Sequence, residues 1–284
     1  MAKVGTWLAI LPRLDHRSAV MGVLNVTPDS FSDGGAHRTP DDAAEAAFRM
    51  LAAGAELIDI GGESTRPGSD PVPVELELSR VLPVIRILAQ AGIDGISIDT
   101  TKAEVARQAI LAGARVVNDI SGMNFDPQMR RVVAEAQVPV ILMHTKGPPK
   151  TMQSGPLEYP GGVVTAVSEA LVGLAEAALA AGIAKEAIML DPGIGFGKSV
   201  DDNCALLAGL PGLRALGYPL LVGPSRKSFL GAITGRPVED RLHATAAAVA
   251  LAVAGGANVV RVHDVGPMLD VVRVAERVAR GPAS

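Results

Sequence analysis

The sequence predicts an α/β chain closed into a (β/α)8 TIM barrel, and three observations carry that expectation. Short apolar runs recur, each ending in one or two polar residues: Val20 into Asn25, Ile96 to Asp99, Arg115 to Asp119, Val138 to His144, Ile188 to Asp191, Leu220 to Ser225 and Val259 to His263. Between the runs lie segments long enough for the crossover helix that parallel neighbours require. Glycine stands before several runs, at Gly54, Gly113, Gly182 and more loosely at Gly217 and Gly255-Gly256, where a left-handed residue lets a helix turn back. Taking Leu24, Ile58, Ser97, Val117, Ile141, Met189, Leu221 and Val260 as strand centres gives the eight units that close a barrel. A doubly wound open sheet is the alternative. It usually has fewer strands and carries a phosphate fingerprint after the first, where this chain has Asn25-Val26-Thr27-Pro28.

Residues 1–17 read as a lead-in strand or hairpin to a single domain spanning 1–284. Val4 to Leu14 imitates an export signal, but it is short, contains Pro12, and meets Asp15 and His16 where small cleavage-site residues belong. The first strand opens into a polar loop from Asn25 to Gly35. Thr39-Pro40-Asp41-Asp42 then supplies an N-cap, a proline at the first helical position and an acid three residues after the cap, so a helix to about Ala53 follows. The second strand, Glu56 to Ile60, leads into Gly-Gly-Glu-Ser-Thr-Arg-Pro-Gly from Gly61 to Gly68. Both loops have the composition of a cover over a barrel mouth, and equally of surface turns. Ala244 to Val260 is nearly all apolar, yet Gly255, Gly256 and Asn258 divide it into helix, turn and strand rather than a membrane span.

At 284 residues one barrel domain accommodates the chain, and 48% hydrophobic with only 3% aromatic residues means a core of Ala, Val, Leu and Ile. The 26 basic and 30 acidic residues include no basic run of the kind that tracks nucleic acid. A soluble cytoplasmic protein is expected. The single cysteine, Cys204, excludes an internal disulfide and reads as a partly buried small hydrophobe on a helix.

Several local motifs fail. Gly197-Lys198-Ser199 suggests a P-loop, but the first glycine of that motif would fall at Pro192. As a dinucleotide fingerprint Gly193 and Gly195 fit, while the third glycine comes one place early. Gly223-Pro224-Ser225 resembles a nucleophile elbow until Lys227 takes the place of the closing glycine. His16, His37, His144, His243 and His263 have no paired spacing for zinc.

The polar strand ends carry the chemistry. Asp99, Asn118 and Asp191 would face one mouth, and two acids with an amide suit a flat, nitrogen-rich ring presenting parallel donors. The competing reading makes Asp99 or Asp119 a helix cap. Lys227, Arg261 and His263 bring cationic or donor groups from the last two units, where barrels often hold phosphate. Arg261 lies between Val260 and Val262, where an unpaired guanidinium would be costly.

Met21 to Gly35, Gly61 to Gly68, Ser97-Ile98-Asp99-Thr100, Asn118 to Gly122, Leu190-Asp191-Pro192-Gly193, Ser225-Arg226-Lys227-Ser228 and Arg261 to Val265 together resemble the dihydropteroate synthase family, in the right order from about Ser18 to the C-terminal helix. The resemblance implies a barrel enzyme of folate synthesis that joins 6-hydroxymethyl-7,8-dihydropterin pyrophosphate to 4-aminobenzoate with Mg2+. It implies that Asp99, Asn118, Asp191, Gly223 and Lys227 hold the pterin, and that Asn25, Thr65, Arg261 and His263 serve the pyrophosphate, with Asn25 also on the metal. Phe31, Thr65, Arg66, Pro67, Phe196, Lys227 and Ser228 would form the aminobenzoate pocket, and Asp99, Lys227, Arg261 and His263 would act in catalysis. A homodimer is implied as well. The alternatives are a methyltetrahydrofolate-dependent methyltransferase, which would not need the Thr65-Arg66-Pro67 and Ser225 to Ser228 segments, and a pterin-binding paralogue without turnover.

Overall fold

A computed structural model describes residues 5–14, 16–27, 39–66, 68–153 and 157–280. In chain order its elements are α1 (Trp7–Ile10), β1 (Ala19–Asn25), α2 (Pro40–Ala52), β2 (Leu57–Gly61), α3 (Val74–Gln90), β3 (Ile96–Asp99), α4 (Ala103–Ala112), β4 (Val116–Asp119), α5 (Met129–Ala136), β5 (Val140–Met143), α6 (Val163–Ala180), β6 (Ile188–Asp191), α7 (Val200–Ala208), α8 (Leu210–Arg214), β7 (Leu221–Val222), α9 (Ser228–Thr234), α10 (Leu242–Ala254), β8 (Val259–Val262) and α11 (Val265–Arg280). Every expected strand centre falls inside a strand. The strands pair in parallel in the order β6-β5-β4-β3-β2-β1-β8-β7. A single parallel bridge between Leu190 and Leu220 brings the two ends together, so the sheet is a nearly closed barrel. The helix after the first loop begins as its cap predicts: Thr39 Oγ1 accepts from Asp42 N at 3.2 Å, and Asp42 Oδ2 accepts from Thr39 N at 3.0 Å.

Alternation along the strands divides most buried side chains between two cores, and a smaller third cluster joins Ile120, Met143, Met152 and Phe196. Val20, Leu24, Ile58, Ile60, Ile96, Ile98 and their counterparts point outward and pack under the helices. Met21, Leu57, Val116, Ile141, Met189, Leu221 and Val259 point inward and fill the lower barrel. Above that apolar layer the inward residues become polar, and this change of layer is what creates a site.

Among the described residues before β1 there is no strand or hairpin. Trp7–Ile10 form the one-turn helix α1, with Thr6 Oγ1 accepting from Ala9 N, and Trp7, Leu11 and Leu14 join the inward apolar core. The correction has a tertiary cause: an open barrel end exposes apolar side chains, and the lead-in segment covers them. Cys204 also differs from expectation, being exposed on α7. The apolar stretch near the C-terminus divides into α10, a turn at Gly255-Gly256 and β8 as expected. Among the described residues α6 is long and apolar enough to cross a membrane by length and composition. Its stripe Val163, Val167, Leu171, Ala175 and Ala178 is buried, however, while Glu169 and Glu176 are exposed, as on an outer barrel helix.

Candidate active site

The site is built on strand register. Gly61 pairs with Asn25 on one side and Asp99 on the other, which puts those two residues at the same height on neighbouring strands. A Cβ at Gly61 would lie 3.7 Å from both Asn25 Oδ1 and Asp99 Oδ2, so the glycine leaves a gap between two oxygen-bearing groups. Asp99 pairs in turn with Asn118. One pleat lower is Asp59, fully buried, whose Oδ1 accepts from Ser97 Oγ at 2.6 Å. Its Oδ2 accepts from Asn118 Nδ2 at 2.8 Å and from Arg261 Nε at 2.6 Å. The Arg261 fork continues to Asp99, with Nη2 donating to Oδ2 at 2.8 Å. Burial alone would lower the guanidinium pKa, and the two carboxylates more than offset it. Burial pushes the Asp99 carboxyl up against the pull of Arg261, and Asp99 Oδ1 is buried without a hydrogen-bond partner.

Opposite these groups, Asp191 Oδ1 accepts from Gly193 N at 2.7 Å, and burial raises this carboxyl to about 6 despite that bond and the nearby Lys227 and Lys198. Lys227 packs its ammonium over the Phe196 ring, 4.0 Å from the centroid, and burial followed by the Arg261 charge lowers it to about 8. The lysine stem passes over Gly195 (φ +84), where a Cβ would meet Lys227 Cδ at 2.8 Å. Gly223 borders Arg261, whose Cβ would be 3.6 Å from a side chain placed there.

Lys227 is positioned by a turn with an unusual backbone. Arg226 adopts φ 57, a left-handed conformation that a non-glycine residue takes only when its surroundings hold it there. Here Arg226 Nε and Nη2 donate to the two Asp264 oxygens at 3.0 and 2.7 Å, and Arg226 N donates to Thr245 Oγ1 at 3.0 Å. His263 lies against Ser225, with Nδ1 and Oγ 3.0 Å apart, and burial followed by Arg261 lowers it to about 3. It is therefore a neutral hydrogen-bonding group rather than a cation. Ser228 is the exposed first residue of α9.

The loops above the mouth are tied to one another. Lys198 Nζ lies 3.0 Å from His144 Nδ1 and donates to Phe196 O at 3.0 Å, joining the loops after β5 and β6. Burial lowers His144 to about 3, so its ring is neutral and can accept from the lysine. In the β2 loop Thr65 is half-buried and Arg66 exposed. That loop is anchored below by Arg80 on Gly62 O at 2.7 Å and by Lys102 on Glu63 at 2.6 Å, and its Gly68 N donates to Pro149 O across the mouth at 3.0 Å. Phe31 and Pro67 lie outside the described residues.

A family model described as pterin binding enzyme matches residues 21–263. The dihydropteroate synthase of Synechocystis sp. is 48% identical over 265 residues, covering 93% of this chain and 91% of the relative. The chain belongs to the dihydropteroate synthase family. A solved dihydropteroate synthase of Xanthomonas albilineans with 4-aminobenzoic acid superposes with a TM-score of 0.86 at 47% identity, covering 94% of this chain and 95% of that one. A structure of the Xanthomonas albilineans dihydropteroate synthase in complex with 7,8-dihydropteroate gives 0.83 at 44%, covering 94% and 95%.

For a dihydropteroate synthase, the residues nominated from the strand ends collect as follows. Asp99, Asn118 and Arg261 share one hydrogen-bonded network, Asn25 borders it, and Asp191, Lys227 and Phe196 form the facing wall. Asp99 is no helix cap, since the residue before α4 is Lys102 and Thr100 Oγ1 accepts its N–H. Asp119 does act locally, accepting from Ser121 N and Oγ. Sequence reasoning missed Asp59 and Lys198. A charged residue inside Leu57-Ile58-Asp59-Ile60 was signal enough for the first, by the same cost that marked Arg261.

Proposed function

We propose that this chain joins 6-hydroxymethyl-7,8-dihydropterin pyrophosphate to 4-aminobenzoate, releasing pyrophosphate, as a transferase of folate synthesis. The observation that carries this reading is the barrel mouth itself, where two acids, an amide, a lysine and an arginine come together within a chain closely related to dihydropteroate synthases. Asp191 and Asn118 are the acceptors for the ring donors, and Asp99 and Lys227 flank them. Phe196 and the Ser228 rim, with the Thr65-Arg66 loop above, suit an aromatic amine that stacks and presents a carboxylate.

The reaction breaks the bond from the pterin methylene carbon to oxygen and forms one to nitrogen, the electron pair leaving with pyrophosphate and the amine losing a proton. Arg261, held by two carboxylates, is fixed where it can meet leaving-group charge without reorganising. Neutral His263 supplies a hydrogen bond there. Asp99, held against Arg261 on the same side of the mouth, is assigned to offset the developing positive carbon, so no protein nucleophile is required. Tied loops exclude the water that would intercept that carbon.

Mg2+ is part of the proposal. Asn25 and Asp99, whose Oδ1 is unpartnered, stand at the same height on either side of Gly61 and are the oxygen ligands that would hold a hard cation. Among the described residues no cluster of three His, Cys, Asp or Glu could hold it alone, so substrate oxygens and water would supply the remaining positions. When bound, the ion would neutralise leaving-group charge. A cytoplasmic homodimer is also proposed, on family membership.

The test is pyrophosphate release from the pterin substrate with Mg2+, with and without 4-aminobenzoate, alongside Asp191→Ala and Lys227→Ala. Amine-dependent release that both variants reduce by about a hundredfold is expected. Pterin binding without release would identify a non-catalytic paralogue.

A further inference from the structure

We propose that Asp59 is a positioning residue that fixes both the amide orientation of Asn118 and the pose of Arg261, and so couples the ring end of the site to its anion end. The inference rests on the reading above, in which Asn118 meets the pterin and Arg261 the pyrophosphate. Asp59 receives donors from three other strands: Ser97 on β3, Asn118 on β4 and Arg261 on β8, at 2.6, 2.8 and 2.6 Å. An ionised carboxylate only accepts hydrogen bonds, so the Asn118 group facing it must be the NH2. With the amide reversed, two oxygens would stand at hydrogen-bonding distance with no proton between them. Asp59 therefore leaves Oδ1 as the Asn118 atom offered to a ligand, an acceptor for a ring N–H.

The same Oδ2 takes Nε of Arg261, while Asp99 takes Nη2, which fixes the guanidinium plane and leaves Nη1 for an anion. Because one oxygen atom holds both residues, a shift of either is felt by the other. Ser97 occupies Oδ1 and so sets the rotation of the carboxyl group. A carboxylate placed only for packing would face the helices; this one faces the interior of the barrel, below the mouth.

Two measurements test this. In the unmodified protein, the side-chain amide protons of Asn118 should exchange at least about tenfold more slowly than those of exposed Asn124. In Asp59→Asn, which keeps the volume and removes the charge, the Kd of the pterin pyrophosphate should rise about tenfold or more and kcat fall by a similar factor, with the KM for 4-aminobenzoate within about twofold. Asn118 exchange as fast as that of Asn124 would overturn the proposal even if the variant fails to fold. So would a folded Asp59→Asn with pterin affinity unchanged, or with equal losses for both substrates. Asn118→Ala and Arg261→Ala serve as controls: unchanged pterin affinity in both would refute the underlying site reading, whatever Asp59 does.

Discussion

Arg261 is tolerated inside an apolar strand because its charge is met twice, by Asp59 beneath it and Asp99 beside it, and neither acid could be buried as an anion alone. Asp191 follows a different logic, since burial raises its carboxyl from 3.8 to about 6. Its contribution to folding stability is fully present below the unfolded value near 3.8 and is lost as pH rises through about 6. Ring recognition runs the opposite way, because only the carboxylate accepts two donors. Pterin affinity, followed by calorimetry, should therefore weaken as pH falls below about 6, and Asp191→Asn should make that limb shallower. An unchanged limb would remove Asp191 from ring binding. The site groups at strand ends were legible in the sequence because a barrel gathers them there. Asp59 escaped because it lies one pleat below the rim, and Lys198 because its partner His144 is distant in sequence and meets it only when the loops after β5 and β6 fold together.

At the scale of elements, glycine-rich Gly193-Ile194-Gly195-Phe196-Gly197 is a matter of clearance rather than a cofactor fingerprint. A Cβ at Gly193 would come within 2.0 Å of the backbone oxygen of His144, whereas one at Gly195 would meet only the flexible stem of Lys227. The two alanine variants should therefore part company. Gly193→Ala should lose several kcal/mol of stability, by about the cost of a clash that backbone cannot relieve together with left-handed strain. Gly195→Ala should lose about 1–2 kcal/mol in a denaturant titration, yet about tenfold or more in kcat/KM because the displaced Lys227 leaves its place over Phe196. Equal stability losses would contradict this account. Strands and the first capped helix were readable because period and capping are local signals. α1 was not, since four residues hold too little periodicity and their helical form depends on the barrel end they cover.

The barrel is built on two concentric cores, and the inner one depends on its plug. Trp7→Ala should cost about 3–5 kcal/mol in urea unfolding with the m-value unchanged, because it opens a cavity beneath Met21 and its neighbours while the outer core stays intact. A loss below about 1 kcal/mol would mean the lead-in helix is dispensable to folding. The barrel's seam has a consequence of another kind. β7 is two residues long and meets β6 through the single Leu190–Leu220 bridge, so this is where the hoop is thinnest. Asp191 stands at the top of one side of it, with Gly223 and Lys227 on the other. In the proposed pterin pose, a ring gripped from both sides would act as a staple across that gap, part of its binding energy going into keeping the hoop shut. Amide protection at Leu221 and Val222 should then rise with pterin concentration by up to about RT ln(1 + [L]/Kd), and protection that ignores the ligand would rule the staple out.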